Sequence, residues 1–208
     1  DCGSHPVMDA LAALKDSIFA NQGVPQILSN DISSNYATAD EWGMGGGVAI
    51  SDCLALVQGN MIVGNFGSIS YAGIANSGEG GSGGGLMSLN ARGRIVGNTL
   101  LKNVAAQIKW GYGGGSYIQG SELTIDGNYI LGNTSSPGAD SPGGGMRLVI
   151  GTNFTFTNNI VAANASTTGS GFSVKANSGG IIIHNTIAEN LTGDGVGVFV
   201  DSNLPVIL

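Results

Sequence analysis

Residues 83–103 read GGGLMSLNARGRIVGNTLLKN and residues 113–133 read GGGSYIQGSELTIDGNYILGN. The second stretch repeats the first 30 residues later and without a gap: a Gly triplet, alternating apolar positions, then Asn-x-(Ile/Leu)-x-x-Asn. The triplet also opens at Gly45 and Gly143, giving steps of 38, 30 and 30 residues. The Asn motif runs from Asn30 to Asn35, Asn60 to Asn65, Asn98 to Asn103, Asn128 to Asn133 and Asn185 to Asn190. A further copy, read from Asn158, closes one residue late at Asn164. Self-similarity at this period marks a solenoid, in which one repeat cannot bury its apolar face alone and stacking does so.

Within each unit apolar residues alternate, which is the period of a strand. Val48 and Ile50, Ser116 and Ile118, Met146 and Leu148, and Phe172 and Val174 are expected to point inward. Ala49, Met87, Tyr117, Arg147 and Ser173 are expected to point out. A second strand carries the inward row Val57, Ile95, Ile125, Thr155 and Ile182. A third carries Ile62, Leu100, Ile130, Ile160 and Ile187. No segment between them is long or periodic enough for a crossover helix, which excludes an ordinary βαβ sheet. Asn accepts left-handed turn angles and bonds nearby backbone groups, so Asn stacked at one turn in every coil is expected to form a ladder along the axis. The fold class is therefore all-β: a right-handed parallel β-helix of five to six coils, with strands ~4.8 Å apart.

These Gly- and Asn-rich repeats resemble those of the pectate-lyase-like superfamily of right-handed β-helices, over about residues 24–208. Members of that superfamily include polysaccharide lyases, glycoside hydrolases, epimerases, adhesins, autotransporter passenger domains and surface proteins. The resemblance thus implies the fold and leaves the activity open.

Residues 1–23 are set apart as an N-terminal arm and helical cap over the open end of the solenoid. Ser4 suits a cap and Pro6 a first turn. Val7, Met8, Leu11, Leu14, Ile18 and Phe19 fall on one helical face, and Gly23 stops it. The competing reading is a strand, because residues 16–21, DSIFAN, mimic the Asn motif. The start at Asp1 and the break in mid-coil after Leu208 lead to the expectation of a processed piece of a longer protein.

Thirty-seven of 208 residues are Gly, 42% are hydrophobic and only 10% are charged. A disordered chain shows the opposite balance. The net charge is −7, with seven Lys and Arg in all, so no basic footprint exists for nucleic acid. No apolar run approaches the ~18 residues of a membrane span. Cys2 and Cys53 are too few for a disulfide framework: either one bridge ties the arm to the first coil or both are separate thiols. No second Cys or His stands at zinc-ligand spacing. No cofactor is expected, and Ca²⁺ enters only under a lyase reading.

Four groups of residues invite a functional reading. Glu41, Glu79, Lys109 and Asp140 sit three or four residues ahead of the triplets, and stacking brings them to one side. Lyases of the resembled fold use clustered carboxylates for Ca²⁺ with an Arg or Lys base, and hydrolases use a carboxylate pair ~5–9.5 Å apart. Neither motif is present, and the plainer reading of the four is solvated loop charge. Trp42, Trp110, Tyr112 and Tyr117 offer ring faces to a carbohydrate; the plainer reading is packing under loops. Leu54, Leu56, Phe154, Phe156, Ile181 and Ile183 form an apolar outward row, which marks a partner surface unless a bulge shifts the parity. Arg92, Arg94, Glu122 and Asp126 read as a surface ion-pair patch of little energetic value. His184 stands where Gly59, Gly97 and Gly127 stand in other coils and reads as a turn residue. Sequons begin at Asn133, Asn153, Asn164 and Asn190.

Two function classes follow. The first is a secreted or cell-surface structural or adhesive solenoid, assembling with other chains or with copies of itself by stacking or lateral packing. The alternative is a polysaccharide-active lyase or hydrolase, or a non-catalytic carbohydrate-binding β-helix. Low charge, regular repeats and the apolar row favour the first.

Overall fold

The computed structural model describes residues 18–38, 42–69, 80–137 and 141–208, and its elements are all strands. Every strand pair is parallel. Sheet A stacks Ile18–Asn21, Val48–Ser51, Leu86–Leu89, Ser116–Gln119, Met146–Val149, Phe172–Lys175 and Val198–Asp201. Sheet B stacks Gln26–Leu28, Leu54–Gln58, Arg92–Val96, Glu122–Asp126, Asn153–Thr157, Gly179–Ile183 and Val206–Ile207. Sheet C stacks Asp31–Ser33, Met61–Val63, Thr99–Leu101, Tyr129–Leu131, Ile160–Ala162 and Thr186–Ala188. Two shorter sheets complete the coil: D, with Tyr36–Thr38, Phe66–Ser68 and Val104–Ala106, and E, with Gly43–Met44, Gly80–Ser82 and Trp110–Tyr112. The result is a parallel β-solenoid of about six turns.

The core is a set of columns, one residue per coil. Ile27, Val57, Ile95, Ile125, Phe156 and Ile182 stack inside sheet B. Ile32, Ile62, Leu100, Ile130 and Val161 stack inside sheet C, continued by partly buried Ile187. Phe172 of sheet A lies 5.0 Å from Phe156 and 6.5 Å from Phe154, centroid to centroid, filling the core of the later coils with rings.

Two asparagine ladders edge sheet C. One runs Asn30, Asn60, Asn98, Asn128, Asn159 and Asn185; the other Asn35, Asn65, Asn103, Asn133, Asn164 and Asn190. Asn98 shows the pattern. Its Nδ2 donates to the Val57 carbonyl one coil back at 2.9 Å and to Asn128 Oδ1 one coil on at 3.0 Å. Its backbone N–H donates to the same Oδ1 at 2.9 Å. Both amide protons are thus used, which a buried amide requires. The residue before each ladder Asn sits in the left-handed region: Gly97 at φ 62°, Gly127 at 65° and His184 at 57°. His184 therefore fills a turn position, as expected from its alignment with the glycines.

Three expectations are corrected. Ile18 and Phe19 belong to a strand, pairing in register with Val48 and Ala49, rather than to a helical cap; the competing strand reading holds for them. Residues 1–17 lie outside the described residues. Second, Thr155 and Ile160 do not point inward. Gln119 pairs with Val149 but Glu122 pairs with Asn153, so the turn Ile150-Gly151-Thr152 holds one extra residue. That shift reverses the parity of the next two strands, placing Phe154, Phe156 and Val161 inside and Asn159, not Asn158, in the ladder. Third, the outward column of sheet A is largely covered, with Ala49, Met87 and Ser173 buried. The glycine turns ahead of the sheet curl back over it: a Cβ on Gly143 would meet that of Arg147 at 2.8 Å.

The ladder assignment predicts unequal neighbours. Asn159→Ala orphans buried backbone and amide groups and should cost about 3 kcal/mol. Asn158→Gly keeps the left-handed turn and should cost under ~1 kcal/mol. Urea unfolding of the two variants measures the difference.

Candidate functional site

The outer side of sheet A, where sheet E adjoins it, gathers the aromatic residues. Sheet E is built from glycine because the chain there crosses very close to the D-side turn. A Cβ on Gly111 would lie 1.9 Å from the Ser135 carbonyl oxygen, and one on Gly81 1.8 Å from that of Ala105. Only bare backbone fits, and the flanking large side chains are thrown to the outside. The Trp42 ring lies against Gly80, whose Cβ would be 2.4 Å from its Cζ3. Trp110, the register partner of Gly80, is 46% exposed on the other side of that gap.

Tyr112 is the centre of the cluster. Its ring centroid is 5.6 Å from Trp42 and 6.5 Å from Tyr117. The Arg147 guanidinium carbon sits 4.2 Å over the Tyr112 ring, within cation–π range. Tyr117 and Arg147 are register partners in sheet A, which places them side by side in adjacent coils. The Tyr117 hydroxyl donates to Gln119 Oε1 at 3.0 Å. Burial pushes the Tyr117 phenol up from its ordinary range, against the opposing pull of the Arg147 charge. Beyond Arg147 a hollow continues past Lys175, Asn177 and Asn203, where Lys175 pairs with Asp201 at 3.5 Å. All four aromatic residues singled out in the sequence thus share one ribbon, with an arginine that sequence reading had placed only as an outward residue. Such a ribbon can stack on the apolar face of a sugar ring and donate hydrogen bonds from guanidinium and hydroxyl groups.

The remaining candidates separate. Glu41, Glu79 and Asp140 lie outside the described residues. Lys109 is half-buried, and its carbonyl accepts a hydrogen bond from the Ser136 hydroxyl. Among the described residues no group of three or more His, Cys, Asp or Glu is placed to hold a metal. Cys53 is buried and bonded to no other cysteine among the described residues, its thiol ionisation pushed up by desolvation; Cys2 lies outside the described residues.

The apolar partner row is broken. Leu54, Ile181 and Ile183 are exposed and Leu56 half-buried, but Phe154 and Phe156 are in the core. In the coils between, the same outward positions of sheet B carry Arg92, Arg94, Glu122 and Thr124. Arg92 pairs with Glu122 at 3.4 Å with both side chains well exposed, so little stability follows. Asp126 accepts from Thr157 Oγ1 and Asn158 Nδ2, which hold its carboxyl below the usual range. Three sequon asparagines, Asn133, Asn164 and Asn190, are buried in the second ladder with their Nδ2 atoms engaged. Asn153 is the exposed one of the four.

A family model described as a right-handed β-helix region matches residues 74–207. Comparison with curated proteins and with solved structures gives no match.

The geometry around Tyr117 is open to titration. Its raised pKa means that the folded state holds the proton more tightly, so its contribution to stability is complete below about pH 10 and is lost as pH rises through the folded value. Absorbance at 295 nm should show a tyrosine ionising above its ordinary range, and Tyr117→Phe should remove that step.

Proposed function

The chain belongs to the right-handed β-helix family, and from that premise we propose that it is a secreted or cell-surface scaffold that works by binding, with the Trp42–Tyr112–Arg147 ribbon as its ligand-contacting surface. The observation that carries this reading is Tyr112, whose ring centroid lies 5.6 Å from the Trp42 ring and 4.2 Å from the Arg147 guanidinium carbon. Its orientation is fixed before any ligand arrives, and pre-ordered rings lose little freedom on binding. The ladders support the same reading, because they fix the coil that carries Trp42 and, two coils on, the one that carries Trp110, Tyr112 and Tyr117. A polymer spanning those coils fits such a surface better than a small molecule does. The ligand class proposed is a polysaccharide, laid along the solenoid axis. Trp110 provides an outer stacking face, and Arg147 donates to hydroxyl or carboxylate groups.

Affinity electrophoresis against neutral and acidic polysaccharides tests the proposal. Retention by at least one polymer is expected, weakened tenfold or more by Tyr112→Ala or Trp110→Ala and little changed by Thr124→Ala on sheet B. No retention, or retention indifferent to both ribbon substitutions, would remove the proposal. Release of unsaturated or reducing sugars during the same experiment would move the reading to a lyase or hydrolase.

A further inference from the structure

The four sequons divide into two structural kinds. Three belong to the second ladder, and both halves of their motifs are engaged. Asn133 Nδ2 donates to the Leu100 carbonyl at 2.9 Å and to Asn164 Oδ1 at 3.0 Å. Asn164 Nδ2 donates to the Ile130 carbonyl and to Asn190 Oδ1, both at 2.9 Å. Asn190 Nδ2 donates to the Val161 carbonyl at 3.0 Å. Their hydroxyl partners are turned to the backbone: Ser135 donates to the Ser141 carbonyl, Ser166 to that of Thr168, and Thr192 to that of Ser166. The fourth sequon, Asn153-Phe154-Thr155, opens a strand of sheet B, so its first and third residues share one face. Phe154 takes the inner face at 3% exposure, which leaves Asn153 and Thr155 outward. The extra residue in the preceding turn sets that parity; with Thr155 inward, Asn153 would be inside as well. The Asn153 backbone N–H donates to the Ser121 carbonyl at 2.8 Å, and its side-chain amide bonds to no described residue. Beside it lies an open hollow of about 350 Å³, lined by Arg92, Gly93, Glu122, Thr124 and Thr155.

We infer that Asn153 is the N-glycan acceptor of this protein, the one sequon whose folded state accommodates a sugar. The donor class is a glycosyl diphosphate. In the transfer a bond forms between Asn153 Nδ2 and the anomeric carbon of the sugar, and the bond from that carbon to the diphosphate oxygen breaks. The diphosphate leaves with the bonding electron pair, and one Nδ2 proton passes to a base of the transferring enzyme. At Asn153 no described residue holds either amide proton, so the fold loses no bond and the sugar stands in solvent. At a ladder rung the same step removes a donor from a buried acceptor and forces a sugar ring into a site closed to water. A chain glycosylated there cannot close its rung. Where transfer meets the chain before it has wound, all four motifs are open to it, and folding then sorts the products. The inference uses no residue of the aromatic ribbon and holds whether or not that ribbon binds a polysaccharide.

Cell-free synthesis of the full 208-residue chain tests it, run with a soluble N-glycosyltransferase that reads Asn-x-Ser/Thr and with UDP-glucose as donor. The enzyme is present from the start, so it meets the chain before winding. A brief protease pulse then removes unfolded chains. Peptide mass mapping places the added hexose in the total product and in the resistant fraction. Hexose on Asn153 should persist in the resistant fraction within twofold of its share of the total. Hexose on Asn133, Asn164 or Asn190 should fall at least tenfold between the two. Asn153→Gln and, independently, Thr155→Ala should give resistant chains that carry no hexose. A resistant fraction in which no chain carries hexose on Asn153, or in which a ladder asparagine keeps it, would overturn the inference.

Discussion

The two asparagine ladders are the constraint on which the solenoid rests. Each rung ties three coils: its amide reaches a backbone carbonyl behind it and the next asparagine ahead of it. Removing an inner rung such as Asn98 leaves the Asn60 donors without an acceptor and the Val57 carbonyl and Asn128 Oδ1 without its amide donor, in the buried interior. The two rungs of every coil are five residues apart, as in Asn30 and Asn35, Asn98 and Asn103, or Asn159 and Asn164. Between coils the spacing is not constant. Successive rungs of a ladder lie 30, 38, 31 or 26 residues apart. The ladders therefore impose one geometry on the turns that flank sheet C and leave the length of the rest of the coil free.

That division separates a uniform side from a variable one. Around sheet C the five-residue spacing admits three strand residues and two turn residues, so side chains repeat in straight columns. The side of sheets D and E absorbs the longest insertion, between Ser68 and Gly80, and there the chain crosses itself at distances that only glycine permits. Excess side-chain volume has to leave outward, which is how Trp42, Trp110 and Tyr112 come to stand on the surface. The aromatic ribbon is thus a consequence of backbone crowding beneath it.

Charge is divided along the same lines. The exposed Arg92–Glu122 pair and the hydrogen-bonded Asp126 sit on sheet B, where strands are five residues long and offer outward positions at three columns. Sheet C, narrower and uncharged through its middle coils, has side chains large enough to shield the ladders on either edge. A solenoid with one charged flank and one neutral flank has a defined lateral orientation, which a uniformly polar cylinder lacks.

Period and composition alone determined the parallel β-helix, its coil boundaries, the ladders and most of the core columns, because a stacked repeat must place the same residue type at the same height. A local miscount was also visible in principle: taking Asn159 as the rung restores the five-residue spacing and turns Phe154 and Phe156 inward. What periodicity does not contain is the direction of side chains after an inserted turn residue, since one extra residue reverses parity without changing composition. Nor does it contain the identity of what lies against an outward column. The strand at Ile18–Asn21, the covering of Ala49 and Met87, the meeting of Arg147 with Tyr112, and the neutrality of sheet C beside a charged sheet B were decided by tertiary structure alone. Each depends on which coils and turns become neighbours across the axis, and that adjacency exists only once the chain is wound.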